Sequence, residues 1–122
     1  MKRLLVIDDE EQFRLMMRRL LEKEGYEVSE AADGDEGLEA CRISKPDVVI
    51  TDIIMPEKEG IETILSMRKE FPDMKIIAVS GGGRNAPGNY LILAERLGAH
   101  VTMEKPLDRA RLLQAVERLT VA

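Results

Sequence analysis

Asp8, Asp9, Asp52, Ser80 and Lys105 are the residues of this chain whose types and positions could do chemistry together. Each stands at or just past the end of a short apolar run. Arg3-Leu4-Leu5-Val6-Ile7 leads to the first pair, Asp47-Val48-Val49-Ile50-Thr51 to Asp52, Met74 to Val79 to Ser80, and Val101-Thr102-Met103 toward Lys105. If those runs are strands of one sheet, three carboxylates, a hydroxyl and an ammonium meet on one rim. Crowded carboxylates repel strongly unless a cation sits among them. Hard oxygen ligands without a histidine or cysteine cluster suit Mg2+, with Mn2+ as an alternative. A carboxylate beside such an ion and a lysine is a reasonable nucleophile toward a phosphoryl group. The metal and Lys105 would offset charge on the phosphoryl oxygens. Ser80 would bond a phosphoryl oxygen only after transfer, and a conditional bond of that kind can move a loop.

The elements that must position these residues alternate along the chain. Strands are predicted at Arg3–Ile7, Tyr26–Ala31, Asp47–Thr51, Met74–Val79 and Val101–Met103. Helices are predicted at Glu11–Glu24, Asp33–Ile43, Glu59–Phe71, Pro87–Leu97 and Leu107–Thr120. Phe13, Met16, Met17, Leu20 and Leu21 recur at helical spacing in the first helix, which Gly25 stops. Leu38 and Cys41 share a face of the second; Leu112, Leu113, Val116 and Leu119 face inward on the last. Pro87 suits a first helical turn and Gly98 a C-cap. Five strands alternating with five helices imply an α/β fold, a parallel sheet covered on both faces. Right-handed crossovers leave few topologies, and such open sheets bind ligands beyond the carboxyl ends of their strands. No linker or repeat interrupts the series, so residues 1–122 read as a single domain.

Composition removes several function classes. The net charge of −5 argues against a domain that grips nucleic acid by itself. Two Phe, two Tyr and no Trp leave no stacking platform for single strands. A single cysteine, Cys41, excludes an internal disulfide and a cysteine-based zinc site and fits a reducing, cytoplasmic setting. No apolar run is long enough to span a membrane, and Asp8 cuts the N-terminal run too short for a signal peptide.

Four segments carry a family resemblance: Leu5-Val6-Ile7-Asp8-Asp9-Glu10, Val48-Val49-Ile50-Thr51-Asp52-Ile53-Ile54-Met55-Pro56, Ala78-Val79-Ser80 and Glu104-Lys105-Pro106. In this order and spacing the chain resembles the response-regulator receiver domains of bacterial two-component systems, over its whole length. The resemblance implies a flavodoxin-like, doubly wound sheet of order 2-1-3-4-5 flanked by five helices. It implies that Asp52 takes a phosphoryl group from a phosphohistidine on a sensor histidine kinase or a histidine phosphotransfer protein. Asp8, Asp9, Asp52 and the backbone carbonyl of Ile54 would form the Mg2+ site; Lys105 would pair with the phosphoryl group and Ser80 would be the switch hydroxyl. Such a protein phosphorylates and dephosphorylates itself and is no turnover enzyme. Its output goes to an unidentified downstream protein, and the fourth helix, fifth strand and fifth helix form the family's usual output and homodimer face.

Two departures from the pattern stand out. Family members usually carry an aromatic three residues before the lysine, where this chain has Thr102, which puts the ring-swing readout in doubt but not the phosphorylation chemistry. Between Ser80 and Lys105 the chain is longer than usual and holds Gly81-Gly82-Gly83-Arg84-Asn85-Ala86-Pro87-Gly88, read as a mobile loop. Ile54 and Gly82 stand where members tune access of attacking water, and the apolar Ile54 predicts a long-lived phosphoryl state.

Plainer readings compete at each position. Asp8 to Glu11 would also favour a helix dipole, Asp52 could end a strand, and Ser80 could cap a turn. Met16, Met17, Met67 and Met74 read as core filler. His100 reads as structural or exposed; Arg109, Arg111 and Arg118 read as a solvated face. The triple glycine lacks the spacing and ending of a phosphate-binding loop. A small phosphohydrolase would want an acid at Ile54, a flavodoxin-like carrier would want hydroxyls where Asp8 and Asp9 stand, and a pseudo-receiver would not keep the full set of acids and lysine. A stand-alone receiver is favoured over a fragment of a longer regulator.

Overall fold

Leu4 to Ile7 are four consecutive apolar residues, a run with no polar face, and such a strand is stable only when covered on both sides. The computed structural model, which describes residues 2–53, 60–80, 92 and 94–121, places this run inside a parallel sheet. The strands are β1 (Arg3–Ile7), β2 (Glu27–Ala31), β3 (Val48–Asp52), β4 (Lys75–Ser80) and β5 (Val101–Glu104). Their order is β2-β1-β3-β4-β5, every neighbouring pair being parallel. The helices are α1 (Glu11–Lys23), α2 (Gly34–Ser44), α3 (Gly60–Glu70) and a last helix over Arg109–Thr120. Residues 92 and 94–96 also carry helical backbone, within the predicted fourth helix. The rest of that helix up to residue 93, the Gly81–Gly88 segment and Ile54 lie outside the described residues.

Side chains alternate across each strand, so the sheet divides the interior in two. Leu5, Ile7, Val49, Ile76 and Ala78 face one layer with Leu38, Cys41, Ile64 and Met67 from α2 and α3. Leu4, Val6, Val48, Ile50, Ile77 and Val79 face the other, with Met17 and Leu21 of α1 and Leu112 and Val116 of the last helix. Burying each such side chain contributes roughly 1.5–3 kcal/mol against leaving it in water. Met17, Met67 and Met74 are core residues as expected, but Met16 is 51% exposed. The stripe of α1 that meets the sheet runs through Met17 and Leu21, which puts the residue before Met17 outside it.

Strand and helix ends depart from the sequence reading by single residues that matter. Asp33 and Asp108 are caps and not helical residues: their carboxylates accept the backbone N–H of Glu36 (2.8 Å) and of Arg111 (3.1 Å). The Glu36 side chain reaches one residue further back, its Oε1 accepting from the Ala32 N–H at 3.2 Å. Gly25 and Gly98 take positive φ, 96° and 120°, where the sequence placed helix stops. Asp52, Ser80 and Glu104 are paired into the ladder, Asp52 with Val79 and Ser80 with Glu104. The polar residues at the rim are therefore the last rungs of rigid strands.

Candidate functional site

β1 runs out at Ile7, and the next N–H, of Asp8, still donates to Ala31 O at 3.1 Å. That bond anchors Asp8 beside the sheet and buries its carboxylate to 1% exposure. The Glu10 N–H donates to Asp8 Oδ1 at 2.8 Å and Arg14 Nη1 to the Asp8 carbonyl at 2.7 Å, so the turn into α1 is built around this one residue. Asp52, the last residue of β3, is 5% exposed. Behind it the Ile53 N–H donates to Val79 O (2.9 Å) and the Gly60 N–H to Ile53 O (3.1 Å), pinning the backbone that carries the carboxylate. Asp9 is exposed at the same rim. Asp8, Asp9 and Asp52 each offer an oxygen within 4.8 Å of the others.

Lys105 reaches this cluster from beyond β5. Its backbone N–H donates to Ser80 O at 2.8 Å, which ties the lysine to the end of β4. Its Nζ donates to Asp8 Oδ2 at 2.8 Å, to Glu10 Oε1 at 3.1 Å and, at longer range, toward Asp52 Oδ2 at 3.4 Å. The ammonium also lies 4.0 Å from the centroid of the Phe13 ring, a cation–π contact. Burial alone would lower the pKa of this lysine, but hydrogen bonding to Asp8, with the charges of Asp8 and Asp52 and the bond to Glu10, carries it above the usual lysine value. It stays protonated throughout the physiological range.

Ser80 is fully buried at the end of β4. Thr102 lies in β5 opposite Ala78, half-buried and within the sheet, two residues short of the rim. The structure thus brings Asp8, Asp9, Asp52 and Lys105 together and ties Lys105 to Ser80 through the backbone. Two participants were not singled out by sequence reasoning. Glu10 was read with the acids that favour a helix dipole and Phe13 with the apolar face of α1. Nothing in their spacing distinguishes a glutamate that reaches across to residue 105 from one that faces water. His100 is structural as expected, its Nδ1 accepting the Ile76 N–H.

The family profile of the response regulator receiver domain matches residues 4–117. The chain belongs to the receiver family. This receiver is 38% identical to the chemotaxis protein CheY of Thermotoga maritima over 120 residues, 98% of each chain. It is 37% identical over 116 residues to part of the autoinducer sensor kinase/phosphatase CqsS of Vibrio cholerae, covering 94% of this chain and 17% of that protein. Its fold superposes on the response regulator TrrA of Thermotoga maritima, solved with Mg2+ and BeF, with a TM-score of 0.85 and 34% identity over 98% of this chain and 99% of that one. Receivers are signalling switches, and the acidic pocket of Asp8, Asp9 and Asp52 is of the kind that suits magnesium and phosphorylation. None of the described helices is long and apolar enough to cross a membrane.

Proposed function

We propose that this receiver is a phosphoacceptor switch in a two-component system or phosphorelay, with Asp52 as the acceptor. An Asp52 carboxylate oxygen attacks the phosphorus of a phosphohistidine on a sensor histidine kinase or phosphotransfer protein. The P–N bond breaks, the released imidazole takes up a proton, and an acyl phosphate is left on Asp52. The observation that carries this reading is the Lys105 ammonium, bonded to Asp8 and 3.4 Å from Asp52 Oδ2 within the three-carboxylate cluster. A protonated lysine at that spot offsets charge on the phosphoryl oxygens during transfer.

The donor set fits Mg2+ (or Mn2+): three carboxylates at one point, two of them buried, with Asp8 and Asp52 sharing one ammonium between them. Asp8, Asp9 and Asp52 would hold the ion, with the carbonyl of Ile54 as a further ligand. Bound there, the metal supplies charge neutralisation for the phosphoryl oxygens. Ser80 is the hydroxyl that bonds the phosphoryl group after transfer, and Thr102 replaces the aromatic readout with a smaller side chain. Residues 1–122 act as one domain in the cytoplasm. The output and homodimer face is built from the fourth helix, β5 and the last helix, and its partner is a protein and not nucleic acid. The protein turns over no external substrate, and its phosphoryl state is long-lived because Ile54 has no polar group to orient water.

The test is incubation with acetyl phosphate and Mg2+, followed by intact mass measurement. The native chain should gain one phosphoryl mass and Asp52→Asn should gain none. Equal labelling of the variant would show that another carboxylate is the acceptor. A half-life of seconds for the labelled protein, without a phosphatase, would overturn the long-lived state alone.

A further inference from the structure

Glu10 occupies the N-cap of α1, yet its carboxylate makes no cap bond to that helix. A glutamate gains little as an N-cap compared with Asp, Ser or Thr, and here the side chain reaches instead to the Lys105 Nζ at 3.1 Å. An ammonium has three N–H donors. In this protein the two short contacts go to Asp8 and Glu10, and the long one, 3.4 Å, points to Asp52. The Phe13 ring braces the ammonium at 4.0 Å. Of the three carboxylates that share Lys105, Asp8 and Asp52 belong to the metal-competent cluster and Glu10 does not. Its side chain is 66% exposed, so it is the partner most readily exchanged for water.

We infer that Glu10 is a positioning residue: it holds the Lys105 ammonium back from Asp52 in the resting protein and gives it up when Asp52 carries a phosphoryl group. The inference rests on Asp52 being the acceptor. A phosphoryl group on Asp52 brings oxygens with more charge than one carboxylate, and the ammonium then exchanges its contact with Glu10 for one with them. Each encounter with a phosphodonor therefore works against the Glu10 contact. Removing that contact should speed phosphorylation, although Glu10 bonds Lys105 and not Asp52. The α1 N-terminus would in this way set how readily the switch is thrown.

The experiment compares the native chain, Glu10→Gln and Glu11→Gln. Glu11 is exposed on the first turn of the same helix, so its variant removes an equal charge close by without touching Lys105. Phosphorylation by acetyl phosphate with Mg2+ is timed by intact mass, and the Lys105 ammonium is followed by 15N NMR in the unphosphorylated proteins. The expected result is a rate about three- to tenfold higher in Glu10→Gln, a rate within about twofold of native in Glu11→Gln, and a Lys105 signal that moves in the first variant only. A Glu10→Gln rate equal to or below native, a matching rise in Glu11→Gln, or an unmoved Lys105 signal would each overturn the inference. A native chain that gains no phosphoryl group would remove the proposed function, and this inference with it.

Discussion

His100 pairs with a strand by its side chain as well as its backbone. Its N–H donates to Ile76 O at 2.8 Å, and its Nδ1 accepts the Ile76 N–H at 3.2 Å. Only the neutral imidazole can accept that bond. Burial, with the positive charges of Arg68 and Lys75, holds the His100 pKa below its ordinary 6.5. The folded state thus binds fewer protons than the unfolded chain between the two values, so stability rises with pH there. The contribution is complete above about pH 6.5 and is lost as the pH falls from there through the folded-state value. Urea unfolding of native protein and His100→Asn, whose amide oxygen can accept the same N–H, should show a steeper loss between pH 7 and 5 in the native chain. Parallel curves would show that the imidazole is not the titrating element. Sequence read His100 as structural or exposed, and a side chain standing in for a ladder partner leaves no periodic trace.

Among the elements, α3 begins directly against the end of the strand that carries Asp52. A Cβ at Gly60 would overlap the Asp52 carbonyl oxygen and the Ile53 backbone. That clash is with main chain, which cannot swing away as a side chain can. Gly60→Ala should therefore push α3 off the end of β3 and cost about 1–3 kcal/mol in urea unfolding. Phosphorylation by acetyl phosphate should slow as well, because the same backbone aims Asp52. A variant as stable as native would mean that α3 moves freely there. The strands were legible because Leu4–Ile7 and Val48–Ile50 have no polar face, and the first helix because Phe13, Met17 and Leu21 repeat at its period. The ends of α2 and the last helix were less so. Asp33 and Asp108 prefer to cap a helix rather than join it, and α2 closes through Lys45, a non-glycine residue at φ 48° that no turn signal announces.

Taken as one molecule, the receiver concentrates its electrostatic tension at a single rim. Three carboxylate oxygens, of Asp8, Asp9 and Asp52, lie within 4.8 Å of one another, and two of these acids, Asp8 and Asp52, share the ammonium of Lys105. A divalent ion that binds only the folded form stabilises it by mass action, by about 1.4 kcal/mol at ten times its dissociation constant. Adding Mg2+ should raise the urea midpoint, chelation should reverse the gain, and Asp9→Asn should lose most of it. An unchanged midpoint across millimolar Mg2+ would show that the acids do not form a metal site. This convergence was legible from residue types at the ends of apolar runs, since a parallel sheet gathers those ends on one side. The distribution of Lys105 among its partners was not, because it depends on side-chain reach of a few tenths of an ångström.

Lys105 and Asp8 touch across 97 positions of chain. Asp52 is synthesised before Lys105, so a chain cut off between them carries the acid without the amine that shares its pocket. Such a piece lacks the ammonium that Asp8 and Asp52 share in the folded chain. On the proposed reading of Asp52, the signal is written only on chains that extend through Lys105, and shorter pieces stay silent.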